Sequence, residues 1–110
     1  MMKGIGIDIV DISRLSEKVA DKILSKKEML EFKGYLDSNK TRAMEFLGGR
    51  LAAKEAFLKA VGVGIYNGIS LTELQVVKDQ FGNPTFKDNQ SCFLSITHDA
   101  GVAVAIVVVY

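Results

Sequence analysis

A chain of 110 residues, 48% hydrophobic and 25% charged, has the size and composition of one soluble globular domain and carries no stretch biased enough to stay disordered. Lys and Arg number 14 against 13 Asp and Glu, a net charge of +1. That balance excludes a global field able to gather nucleic acid or an anionic membrane, so any recognition is local. The single cysteine, Cys92, excludes an internal disulfide and a thiolate zinc cluster; it reads as a small core residue and fits a reducing cytoplasm.

In chain order, "KGIGIDIV" places Ile5, Ile7 and Ile9 on one face and Gly4, Gly6 and Asp8 on the other, the period of a strand. Asp8 therefore points away from the isoleucines. Two glycines and an aspartate stand where a secretory leader would have its apolar core, so no signal peptide is expected. Asp11 or Ser13 can cap a helix carried on by Leu15, Val19, Ile23 and Leu24, and a second short helix is expected in the polar stretch up to Arg42. The main helix runs from about Lys40 to Val61 and ends at Gly62, a residue suited to the left-handed position that stops helices. "FGNP" between two apolar runs predicts a hairpin.

The last segment reads as two strands joined around Asp99, Ala100 and Gly101. Its apolar run from Val102 to Tyr110 is about half of the ~20 residues a membrane helix needs. Apolar on both faces, it calls for cover on both sides, by the helix and by something else such as a second subunit. The expected fold is a single α+β domain over residues 1–110, a long central helix packed on an antiparallel sheet.

The main helix carries the chemistry. Phe46, Leu47, Phe57, Leu58 and Val61 form a wide apolar arc, and Gly49, Ala52, Ala53, Ala56 and Ala60 a stripe of small residues beside it. Glu55 and Lys59 fall in the gap between them. Alone, such a pair at i, i+4 is an ordinary surface feature worth about 0.2–0.5 kcal/mol. Gly48 and Gly49 cost about 1 kcal/mol each against alanine, which suggests close approach by backbone or ligand. Asp8 on a strand and Glu55 on this helix could meet, favourably only with a cation between them. Magnesium suits such a pair, because it takes one or two carboxylates and completes its shell with water and phosphate.

The other polar candidates leave alternatives open. Arg50, Lys54 and Lys59 can hold phosphate or be solvated charges. Gly62 and Gly64 can bring backbone amides to a phosphate or simply stop the helix. His98 can contact a ligand or cap its turn, and Ser95 and Thr97 can be ligand donors or ordinary sheet residues. One histidine argues against a histidine metal site, and no serine, histidine and acid group suggests a triad.

"GIGIDIVDISR" and "FLGGRLAAKEAFLKAVGVGI" closely resemble the two signature segments of the holo-acyl-carrier-protein synthases, the short bacterial class of 4'-phosphopantetheinyl transferases. "IYNGISLTELQVVKDQFGNPTF" and "LSITHDAGVAVAIVV" are similar to the family too, so the resemblance spans nearly the whole chain. It implies transfer of phosphopantetheine from coenzyme A to a serine of apo acyl carrier protein, a step serving fatty acid biosynthesis. By resemblance, Asp8 and Glu55 match the magnesium-binding acids, and Lys59 a lysine beside the reacting phosphate. Arg14 matches a contact to the carrier protein, and Arg50, Gly62, Gly64 and His98 match positions lining the coenzyme A site.

The resemblance also implies a homotrimer with active sites between protomers. Two departures stand out: Val63 replaces the threonine of the family's G-T-G, and only Lys87 to Gln90 separate the hairpin from "SITH", where relatives carry a helix. The competing reading is a catalytically silent or purely structural oligomer of this fold; intact Asp8, Glu55 and Lys59 speak against it.

Overall fold

The computed structural model describes residues 1–62, 69–88 and 91–110. Strand β1 (Gly4–Asp11) runs along the edge of a three-stranded antiparallel sheet of order β1-β5-β4. The other two strands are β4 (Cys92–Asp99) and β5 (Val102–Val109), joined by a turn in which Ala100 (φ 51°) and Gly101 (φ 80°) take left-handed backbone. A separate hairpin pairs β2 (Val76–Lys78) with β3 (Pro84–Phe86). Its "FGN" turn is fastened by the Asp79 carboxylate, which accepts from the Phe81 and Asn83 amides at 2.8 and 2.9 Å.

Between β1 and the main helix the chain is more broken than its spacing predicts. Two single 3₁₀ turns, Ile12–Arg14 and Glu17–Val19, precede a one-turn helix α1 (Ala20–Ile23). The reason is local: Asp11 and Ser16 each cap a turn by accepting the backbone amide two residues on, which closes turns too short to propagate. Helix α2 (Lys26–Ser38) starts with a full capping box, Ser25 to the Glu28 amide and Glu28 back to the Ser25 amide. Helix α3 (Lys40–Val61) has the expected bounds, capped by Asn39 and stopped at Gly62 with φ 103°.

Helix α3 is buried on two sides, which is why it lacks a broad polar face. Its small stripe, Ala52, Ala53 and Ala56, packs on the sheet with Val10, Ala105 and Val107. Phe46, Leu47 and Ala43 close a second core with Ile23, Leu24 and Phe32. The buried Cys92 belongs to the first core, as its composition suggested.

Strand β1 and helix α3 meet backbone to backbone. A Cβ at Gly4 would overlap the Ala60 carbonyl oxygen, and one at Gly6 would overlap that of Ala56. The glycine face of β1 thus lies directly on helix backbone. Its isoleucine face points outward: Ile5, Ile7 and Ile9 are 55%, 59% and 65% exposed. Across the ladder they stand beside Val108, Ile106 and Val104, and Phe93 of β4 adds a further exposed ring on the same face.

Candidate active site

The glycines of β1 decide where Asp8 goes. Because Gly4 and Gly6 let the strand settle on α3, Asp8 on the same face reaches the helix. Lys59 Nζ donates to Asp8 Oδ1 at 2.9 Å and to the Ile7 carbonyl at 3.1 Å. Glu55, one turn earlier on α3, is half-buried. Its carboxyl is pushed up by burial and then by the charge of Asp8, with Lys59 pulling the other way. The structure therefore brings Asp8, Glu55 and Lys59 together.

A carboxyl raised by burial and by a neighbouring aspartate, beside one ammonium, forms a site that welcomes additional positive charge. Among the described residues no group of three or more His, Cys, Asp or Glu could hold a metal. Two carboxylates fit magnesium that shares its shell with a phosphate, and they do not fit an all-protein metal cage.

A second group lies at the opposite edge of the sheet. A cleft of about 120 Å³ is bordered by Tyr35, Arg42, Glu45, Arg50, Lys78 and His98. Arg50 is only 8% exposed. Its guanidinium lies 4.5 Å from the centre of the Phe46 ring, and burial lowers its proton affinity while Glu28 opposes that. Its Nε is buried without a hydrogen-bond partner among the described residues; the nearest carboxylate oxygen, of Glu28, is 3.8 Å away. An arginine held this way in a cationic cleft is prepared for an anion. His98 Nδ1 stands 3.3 Å from Glu45 Oε2.

The two groups do not meet within the chain. Strands β1 and β4 flank β5 on opposite sides, about 10 Å apart by sheet spacing, and the breadth of α3 lies between. Ser95 and Thr97 pair with Ile106 and Val104 on the outward face, away from both groups. Arg14 is exposed beside Asp11, at 3.5 Å. Gly62 ends α3, whereas Gly64 and Val63 lie outside the described residues. A larger cavity of about 840 Å³, between the turns after β1 and the start of α3, is bordered by Ile12, Ser13, Leu15, Lys40, Thr41 and Met44. It contains none of Asp8, Glu55 or Lys59.

Two expectations about α3 change. Gly48 and Gly49 make room for protein side chains: a Cβ at Gly48 would sit 2.9 Å from Ile12 Cγ1, and one at Gly49 3.2 Å from Ile96 Cγ2. Lys54 is neither a surface charge nor exposed to a phosphate. It is fully buried, and its Nζ donates to Glu28 Oε1 at 2.6 Å and to the Ile23 carbonyl at 2.7 Å. Glu28 also accepts the Val76 amide at 2.9 Å, tying α2, α3 and the hairpin together. Ser-x-x-Glu at residues 25–28 signals the cap, but nothing local announces that the same carboxylate serves a lysine 26 residues on. Glu45 was missed for a similar reason, since its partner His98 lies on the distant β4.

Comparison with known proteins defines the class first. The profile of the 4'-phosphopantetheinyl transferase superfamily matches residues 4–107, so the fold is that of this superfamily. The holo-[acyl-carrier-protein] synthase of Geobacillus kaustophilus is 41% identical over 118 residues, covering 99% of this chain and 89% of the relative. That of Geobacter sp. is 39% identical over 127 residues, covering 98% of each. Among solved structures, the Bacillus anthracis holo-(acyl-carrier-protein) synthase in complex with CoA (3',5'-ADP) superposes with a TM-score of 0.83 at 40% identity, over 99% of this chain and 96% of the other. The Helicobacter pylori synthase in complex with coenzyme A gives 0.72 at 33%, over 96% and 99%. The chain belongs to the holo-[acyl-carrier-protein] synthase family.

Proposed function

We propose that the chain transfers 4'-phosphopantetheine from coenzyme A to a serine hydroxyl of an apo acyl carrier protein, releasing adenosine 3',5'-bisphosphate. The observation that carries this reading is the convergence of Asp8, Glu55 and Lys59 on the seam between β1 and α3. Family membership and the coenzyme complexes of two relatives support it.

The serine oxygen attacks the β-phosphorus of the coenzyme's pyrophosphate, and charge builds on phosphate oxygens. Lys59, a flexible point donor, neutralises part of that charge. Glu55 accepts the serine proton; the burial that raises its proton affinity suits it to that task at neutral pH. Magnesium held by Asp8 and Glu55 would polarise the phosphoryl oxygens and help the bisphosphate leave. Arg50 and His98 bind the coenzyme's other phosphates, joined by backbone amides near Gly62 and Gly64, with Ser95 and Thr97 contributing from a neighbouring protomer. Arg14, exposed beside Asp11 at the end of β1, meets the acidic carrier protein.

A homotrimer completes the site. The two groups sit on opposite edges of one protomer, and the apolar outer face of the sheet supplies the surface through which neighbours would bring them together. No described helix is long and apolar enough to cross a membrane, and the cytoplasm, where coenzyme A and carrier protein meet, is the proposed location.

The test is chromatographic detection of adenosine 3',5'-bisphosphate after mixing the protein with coenzyme A, magnesium and apo carrier protein. Release that requires all three establishes the reaction. No release with any of several carrier proteins would leave the silent oligomer.

A further inference from the structure

Glu45 borders a cleft in which Arg42, Arg50 and Lys78 stand beside His98, and among the described residues the other acid lining it is Glu31. Glu31 accepts the Tyr35 hydroxyl at 3.1 Å, and the Arg42 guanidinium lies over the same Tyr35 ring, 5.0 Å from its centre. A carboxylate lowers the affinity of such a cleft for anions unless its charge is used on a neighbour. That neighbour is His98.

Helix and strand bring the two together for a reason legible in the packing. Gly49 lets β4 approach α3 at Ile96. His98, two residues further along β4, lies on the same face of the strand, and Glu45 lies one turn before Gly49 on the helix. The resulting separation, Nδ1 to Oε2, is 3.3 Å. The two imidazole nitrogens lie on opposite sides of the ring, so a ring held at Nδ1 turns Nε2 away from Glu45.

We propose that Glu45 is a positioning residue of the coenzyme site, accepting from His98 Nδ1–H so that the Nε2–H of the doubly protonated ring faces a phosphate group of coenzyme A in this cleft. The inference rests on the coenzyme-binding reading of Arg50 and His98 given above. Fixing one otherwise rotatable ring before the ligand arrives removes an ordering cost from binding and leaves the chemical step untouched.

The experiment measures coenzyme A binding by calorimetry, steady-state kinetics, and the ring nitrogen signals of His98 in the free and the coenzyme-bound protein. Glu45→Ala is expected to raise Kd and KM for coenzyme A about 3- to 15-fold, with kcat within about twofold of wild type. Glu45→Gln, whose amide oxygen still accepts from Nδ1–H, is expected to recover most of the loss. In a His98→Ala background Glu45→Ala adds nothing, because the two act as a unit. With coenzyme A bound, the His98 signals report protons on both nitrogens in wild type; in the free protein the Nδ1 signal carries a hydrogen-bonded shift that is lost in Glu45→Ala. Unchanged affinity in Glu45→Ala, or losses that add to those of His98→Ala, would overturn the proposal. Wild-type protein that fails to bind coenzyme A would instead refute the coenzyme reading, and the His98 signals would then decide the Glu45 contact alone.

Discussion

Replacing Gly6 with alanine adds one methyl group where strand backbone lies directly on helix backbone. Its Cβ would overlap the Ala56 carbonyl oxygen and lie 2.8 Å from the Ala60 nitrogen. Neither atom can yield, because both belong to the backbone of a 22-residue helix buried on two sides. Strand β1 is equally constrained by eight consecutive register pairs with β5. Relief therefore requires lifting the strand by about 1 Å, an overpacking cost of about 1–3 kcal/mol. The same movement stretches the 2.9 Å contact between Lys59 and Asp8, so turnover falls with stability. We expect a midpoint of thermal unfolding lower by about 5–20 °C, measured by circular dichroism. Gly34→Ala is the control: exposed in α2 with nothing within 4 Å of its Cβ, it is expected to stabilise by about 0.5–1 kcal/mol. A Gly6→Ala protein that melts with wild type and turns over normally would refute the claim that the glycine face seats Asp8.

Glu55→Gln should abolish turnover yet stabilise the metal-free fold. Burial and Asp8 raise the Glu55 carboxyl above its ordinary value of 4.5, so the native state holds that proton more tightly than the unfolded chain and its stability falls as pH rises through this window. The melting advantage of the variant over wild type should therefore grow from pH 4.5 to 7 and shrink on adding magnesium; a constant offset would contradict this. Glu28→Ala leaves the buried Lys54 ammonium without its carboxylate and should cost about 3–5 kcal/mol in chemical denaturation, partly recovered by adding Lys54→Met. Ile7→Asp, on the open sheet face, should leave a folded monomer by light scattering and abolish turnover by separating the two groups; an intact trimer would contradict the proposed interface.

How much of this was legible in the sequence depended on the range of the interaction. Alternation in "GIGIDIV" placed Asp8 opposite the isoleucines, and the "KEAFLK" spacing placed Glu55 one turn from Lys59, because strand and helix periods are local. The C-terminal bound of α3 was legible for the same reason, from Gly62 at its end. Which β1 face would be buried was not, since isoleucine is the more apolar side; only the small residues of α3 permit the glycine face to dock. Lys54 was misread because its partner Glu28 arrives from another helix, and the segment after Asp11 because capping side chains cut its periodicity into separate turns.

The most direct test is the intact mass of an apo acyl carrier protein after incubation with this protein and coenzyme A, with magnesium or a chelator, for wild type and Asp8→Ala. The account predicts a gain of one phosphopantetheine group with wild type and magnesium, and none with the chelator or the variant. Equal gain in Asp8→Ala, or gain undiminished by the chelator, would contradict the assignment of the seam between β1 and α3 as the catalytic site.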